Sequence, residues 1–247
     1  MALVTGWLSA LLGPFLVLRR FSLLADGVSH VALAGLALGV ALGVSPEWPG
    51  VFLAAFGSLA VDELRRQGYF SDAALGLLMA TGLSLGLLFL HLGGRAGVDL
   101  QAFLFGHVLA SGWRELWLVA GGLVLFLGFL LLFYKELFFV AFDEEAASLG
   151  IPVRLVSGIL SALAGVVLVL AIRVVGALLA GALTIIPVLL SLPSSKSFGH
   201  LLLLSPLAST LMMVLGLGVS FLLDLPPGPS VVLAGMALLG LRHMVGR

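Results

Sequence analysis

The sequence predicts an all-α, polytopic membrane protein of about nine transmembrane helices, and three observations lead there. Hydrophobic residues make up 61% of the 247 and charged residues only 10%. A soluble domain carries roughly 25% charged residues, so this chain lacks the polar surface to face water all round. Apolar runs of about 18 or more residues recur along it, each long enough to cross about 30 Å of hydrocarbon. Their lengths suit helices, which pair every backbone polar group internally as lipid demands, rather than barrel strands.

Glycine, proline and charge punctuate the chain into its segments. The first, 2–18, is apolar up to Arg19 and Arg20; with no basic stretch before it, it reads as a retained span rather than a signal peptide. The second, 21–44, ends at Gly43 and Pro46, and the third, 49–64, runs from Pro49 to Arg65 and Arg66. The fourth, 72–92, stops at Gly93 and Gly94. The stretch "VDLQAFLFGHVL" (Val98 to Leu109) is too short to span and reads as interfacial or re-entrant. Spans then follow at 115–139, 155–172, 174–192, 200–223 and 229–244, all within a single transmembrane domain, 1–247.

Charge orients these segments. Alternate loops hold Arg19, Arg20, Arg65, Arg66, Lys135, Arg154, Lys196, Arg242 and Arg247, and the other loops only Arg95, Arg114 and Arg173. Cytoplasmic loops carry the excess of Lys and Arg, which predicts the N-terminus outside and the C-terminus inside. The longest cytoplasmic insertion is then "YKELFFVAFDEEAASLGIPVRL" (Tyr134 to Leu155). It reads as a short helix with Asp143, Glu144 and Glu145 in its first turn, stopped by Gly150 and Pro152. Such a segment is either a solvated connector or a docking element for a cytoplasmic partner.

Several function classes drop out. The formal net charge is zero and no basic stripe suggests nucleic acid. With no cysteine, disulfides, thiolate metal sites and a cysteine nucleophile are excluded. Neither Lys135 nor Lys196 sits in a phosphate-binding loop, so the chain does not hydrolyse ATP by itself. No Ser/His/Asp or His-Glu-x-x-His arrangement is present. Asparagine is absent, and glutamine occurs only at 67 and 101, a pattern expected of a thermophile and equally of GC-rich codon usage.

The polar residues inside the apolar runs carry the functional signal. An aspartate at a helix centre costs about 2.5–3.5 kcal/mol on insertion scales, which makes it a functional candidate by default. Asp26 and His30 stand one helical turn apart and project from one face. With Arg20 at the cytoplasmic boundary, His30 is expected roughly 15 Å deep, near the bilayer midplane. Ser22 and Ser29 can join that polar side, and Gly27, Gly35, Gly39 and Gly43 form a stripe that lets other helices approach closely. Two readings follow: an Asp–His pair that pins two helices, or a metal or proton site, since a carboxylate and an imidazole suit Zn or Mn. His91, His107 and His200 fall at span ends and read as solvated. Arg173 reads as an anchor in a tight turn, and Asp224 as a cap or gate before "LPPG". Ser161, Thr184, Ser191, Ser205, Ser209 and Thr210 read as helix-packing hydroxyls.

The stretch "RRFSLLADGVSH" resembles the segment "RR-x-SL-x-x-DA-x-SH" shared by permease subunits of bacterial zinc, manganese and iron ABC importers. The likeness continues in the family's order through "SDAALGLL", "VDLQAFLFG", "LLFYKELFFVAFDEEAASLGIP", "RVVGALLAGALTIIP" and "LLDLPPGPSVVLAG", covering nearly the whole chain. The resemblance implies a fold like that of the type II ABC importers. It also implies a permease dimer with a central metal path, two cytoplasmic ATP-binding cassette ATPases that bind the ATP, and an extracytoplasmic solute-binding protein. Residues carried over are Asp26 and His30 on the metal path. The coupling helix that docks on the ATPase, about 143–151, corresponds to Phe142, Asp143, Glu144, Glu145, Leu149 and Gly150. The chain departs from the family at Gly27, usually Ala, and at Ala34, usually Pro; after Pro187 it reads "VLLSL" rather than "AATA". The function expected is the membrane subunit of an importer for Zn, Mn or Fe, with no permanently bound cofactor. Its rivals are an ion-coupled secondary transporter, a structural or assembly subunit, and an ABC permease for a metal chelate.

Overall fold

The computed structural model describes residues 1–93, 106, 112–142 and 152–245. Among them ten α-helices follow in order: α1 (Ala2–Leu18), α2 (Leu24–Leu42), α3 (Glu47–Arg66), α4 (Ser71–Leu92), α5 (Trp113–Leu132), α6 (Tyr134–Phe142), α7 (Val153–Val175), α8 (Ala177–Ser191), α9 (Phe198–Leu223) and α10 (Pro227–Val245). Each of the nine apolar segments read from the sequence contains a helix. The segment 115–139 is interrupted at Phe133, where the polar triplet Tyr134, Lys135, Glu136 ends the apolar run and α6 begins.

Among the described residues six helices are long and apolar enough to cross a membrane by length and composition: Leu24–Leu42, Ser71–Leu92, Trp113–Leu132, Val153–Val175, Ala177–Ser194 and Phe198–Leu223. The helix Ala2–Leu18 is apolar but shorter, and α3 carries Glu47, Asp62, Glu63, Arg65 and Arg66. Large apolar side chains such as Phe52, Phe56, Phe221 and Leu222 stand largely exposed. Water would penalise that surface and hydrocarbon does not. The chain is a multi-pass membrane protein.

The chain divides into two compact units, Met1–Val17 with Gln101–Phe126 and Leu170–Arg247, and Leu18–Leu100 with Leu127–Val169. In the first, α8, α9 and α10 pack on one another. There the Phe15 ring meets Phe198 and Phe126 edge-on, centroids 5.4 and 6.3 Å apart, and the Trp7 indole N–H donates to Thr210 Oγ1 at 2.8 Å. A Cβ on Gly13 would run into the Thr184 carbonyl of α8, so α1 and α8 touch through backbone. Thr184, Ser191, Ser205 and Thr210 donate to carbonyls one turn back, which keeps each hydroxyl paired inside its own helix.

In the second unit α2 packs against both α3 and α4. A Cβ on Gly35 would lie 2.5 Å from Gly50 Cα and the Pro49 carbonyl oxygen, and one on Gly39 would lie 2.5 Å from Pro46 Cα. The glycine stripe therefore does bring helices together, but Gly43 has a different task. It closes α2 in the left-handed region (φ 70°), and Val44 N–H returns to the Gly39 carbonyl at 3.0 Å, a helix stop that glycine makes without steric cost.

Substituting Gly35 with Val should lower the thermal midpoint of the detergent-solubilised protein, because overpacking costs about 1–3 kcal/mol. Gly218→Ala, which meets nothing within 4 Å, should leave the midpoint unchanged or raised. Melting both variants beside the parent by intrinsic tryptophan fluorescence checks the contrast.

Candidate functional site

The candidate site is built on the first turns of α2. The chain leaves α1 through Arg19 and Arg20, the latter at φ 60°, and Phe21 is buried between two guanidinium groups, 5.2 Å from Arg19 and 5.1 Å from Arg65. Helical hydrogen bonding starts only at Leu24, so His30 is six residues, about 9 Å, along the axis from the helix start. Residues 20–23 turn instead of rising, so α2 does not run on from Arg20. Asp26 falls in the first turn, where a carboxylate favours the positive end of the helix dipole.

Asp26 is exposed and His30 half-buried on one face of α2, while Gly27, Val28 and Ser29 are buried. Among the described residues neither side chain has a hydrogen-bond or ion-pair partner. Among the described residues the two side chains therefore form no hydrogen-bonded Asp–His pair that pins helices. Ser29 does not join them: it is buried and its hydroxyl donates to the Asp26 backbone carbonyl at 2.7 Å. The two free groups offer one carboxylate and one imidazole to anything that approaches that face, one turn apart. Among the described residues no group of three or more His, Asp or Glu gathers to hold a metal, so these described residues present two donors and not a closed shell.

The segment with Asp143, Glu144, Glu145, Leu149 and Gly150 lies outside the described residues, as do His107 and the stretch around it save Gly106. Phe142 closes α6 with its ring 4.9 Å from Phe138. His91 is exposed in the last turn of α4. His200 is a capping residue: Lys196 N–H donates to its Nδ1 at 3.3 Å and its own N–H donates to Ser197 Oγ at 3.2 Å. Arg173 ends α7 just before Gly176 turns the chain (φ 85°), and Asp224 caps α9 in the left-handed region.

One cluster escaped the sequence reading. Asp62 of α3 is 2% exposed and Arg19 6% exposed. Arg19 Nη2 donates to Asp62 Oδ1 and to Ser157 Oγ, both at 2.7 Å, and the Ser157 hydroxyl donates to Asp62 at 3.0 Å. Arg66 Nη2 donates to Asp62 Oδ2 and, at 2.9 Å, to the Arg154 carbonyl. Burial pulls the Arg19 pKa below its ordinary value, opposed by the charge of Asp62. This node ties the α1–α2 connection to α3 and α7. The signal available in the sequence was an acid inside an apolar run four residues before Arg66, the spacing of a helical ion pair.

A protein-family model described as the ABC 3 transport family matches residues 1–245. The high-affinity zinc uptake system membrane protein ZnuB of Haemophilus influenzae is 32% identical over 96% of this chain and 93% of its own length. The manganese transport system membrane protein MntC of Halalkalibacterium halodurans is 29% identical over 97% of this chain and 83% of its own length. A chain in the solved structure of PsaBC from Streptococcus pneumoniae in complex with Fab aligns with a TM-score of 0.83 at 28% identity, covering 97% of this chain and 87% of that one.

Replacing Asp62 with Ala should destabilise the protein by about 3–5 kcal/mol, because the Arg19 charge stays buried without its counter-ion. Asp62→Asn should cost less, since it keeps an acceptor for Arg19. Thermal melts and the folded fraction in size-exclusion chromatography check this order.

Proposed function

The chain belongs to the ABC 3 transport family, and from that premise we propose that it is the membrane-spanning subunit of an ATP-driven importer for a divalent transition-metal ion. The observation that carries the ion-binding part is the pair Asp26, exposed, and His30, half-buried, on one face of α2 and without partners among the described residues. The zinc and manganese transport functions named for the two relatives support the cargo class.

In this reading a carboxylate oxygen of Asp26 and an imidazole nitrogen of His30 replace part of the metal's hydration shell during passage. Two donors from one chain leave the remaining positions to water or to the same pair on a second copy. A structural zinc site closes four protein ligands and holds its ion; an incomplete shell binds weakly enough to release it. One Asp and one His suit Zn, Mn and Fe alike, with Zn and Mn favoured by the relatives' names. The permease hydrolyses no ATP; a cytoplasmic cassette ATPase does so, and Asp143, Glu144, Glu145, Leu149 and Gly150 form its docking segment. An extracytoplasmic solute-binding protein delivers the ion. Nine spans with the N-terminus outside follow from the charge asymmetry of the loops, and two copies complete the path.

Asp26→Ala and His30→Ala, singly and together, should abolish metal-dependent growth of a strain that lacks other uptake systems, with membrane abundance unchanged on immunoblots. Asp26→Asn should lose most uptake as well, since it retains shape and loses the anionic oxygen. Normal radiometal uptake by the double variant would overturn the site. Uptake that collapses with an uncoupler and needs no ATPase would replace ATP drive with ion coupling.

A further inference from the structure

Asp26 and His30 belong to the second unit; the first unit has a polar feature of its own. A cleft of about 430 Å³ opens between the end of α8, the start of α9 and the end of α10. Leu204, Leu207, Ala208 and Leu211 line it from α9 and Leu238 from α10. The α9 residues recur at three- and four-residue spacing, so they form one stripe running about 10 Å along the helix. Arg242, Ser191 and Ser194 supply its polar end.

Charge at that end is unbalanced. Arg242 donates to a neutral partner, Ser194 Oγ, and the exposed Lys196 follows two residues on. His200 caps the start of α9 and His243 follows Arg242 on α10. From Pro152 to Val245 the only acid is Asp224, which caps the far end of α9, and Arg242 lies roughly 22 Å along the α10 axis from the helix start that follows Asp224. Glu115, the other acid of this unit, is under the electrostatic influence of Arg173, where α7 leads into the beginning of α8. Among the described residues no side-chain carboxylate of the unit is therefore placed to neutralise Arg242.

Beside the cleft, Leu203 is 70% exposed, Leu207 58% and Leu211 50%. In a membrane protein such side chains face acyl chains, so the cleft opens on lipid. An apolar slot with a cation at its interfacial end complements an amphiphile with a negative head, and basic pockets between membrane helices bind such headgroups. We propose that this cleft holds an anionic phospholipid, one acyl chain along Leu204, Leu207 and Leu211 and the phosphate against Arg242 and Lys196.

The test is native mass spectrometry on the full-length chain in detergent, titrated separately with phosphatidylglycerol and phosphatidylcholine. The parent should retain phosphatidylglycerol at least about fivefold more strongly than phosphatidylcholine. Arg242→Gln should remove that preference, and Lys196→Gln should weaken it. Leu207→Trp, which fills the slot and leaves the cations, should reduce retention of both lipids. Equal retention of the two lipids by the parent overturns the proposal, as does a preference unchanged in both charge variants. Full displacement of phosphatidylglycerol by millimolar inorganic phosphate would make this a free-anion site. Loss of ATPase co-purification in Arg242→Gln with lipid retention unchanged would make it a protein interface. Either result also overturns the lipid assignment.

Discussion

Inside a bilayer, apolar burial does not distinguish the interior of the protein from the surrounding lipid, so helices must be held by shape and by polar pairing. This chain does both, in different places. Gly35 and Gly39 let α2 come within backbone contact of Pro49, Gly50 and Pro46. Gly13 does the same for α1 and α8. Where charge enters an apolar run, as at Asp62, it is met by Arg19, Arg66 and Ser157. Removing a methyl-sized recess or one member of that node would not be repaired by hydrophobic pressure, because lipid supplies none.

Close backing of α2 on two sides is what leaves its third side to the polar pair. Gly27, Val31 and Gly35 turn toward neighbours, with a Cβ on Gly82 of α4 meeting Val31 N at 2.7 Å. The Asp26 side chain, offset by the helical repeat, stays exposed, and His30, whose backbone joins that contact, keeps its side chain half-buried. The same periodicity therefore positions the packing surface and the pair of donors. A helix without its glycines would need wider spacing, and the register of Asp26 and His30 against whatever meets them would change with it.

Much of this was legible from local signals. Apolar runs mark the helices, and the four-residue spacing of Asp26 and His30 marks a shared face. Gly43 and Asp224 mark helix ends, as the left-handed backbone at both positions bears out. Arg19 misled, because by sequence it is simply a loop cation, whereas its counter-ion lies 43 residues on and its hydroxyl partner 138. Tertiary proximity over such separations leaves no periodic trace in one chain. The start of α2 was hidden for a local reason: residues 20–23 turn before Leu24, with Phe21 buried against Arg19 and Arg65, and hydropathy does not register that turn.

Asp62 and Asp26 answer the same physical question in opposite ways. Each is an anion in a chain that carries only 12 acids. Asp62 has lost water and received two guanidinium groups and a hydroxyl in return, so its binding capacity is filled and its role is to hold helices. Asp26 keeps access to solvent and has no such partner among the described residues. Leaving a carboxylate and an imidazole unfilled adds nothing to the packing of α2. In a fold that satisfies its buried acid so completely, that open pair is the feature on which the proposed transient ion site rests.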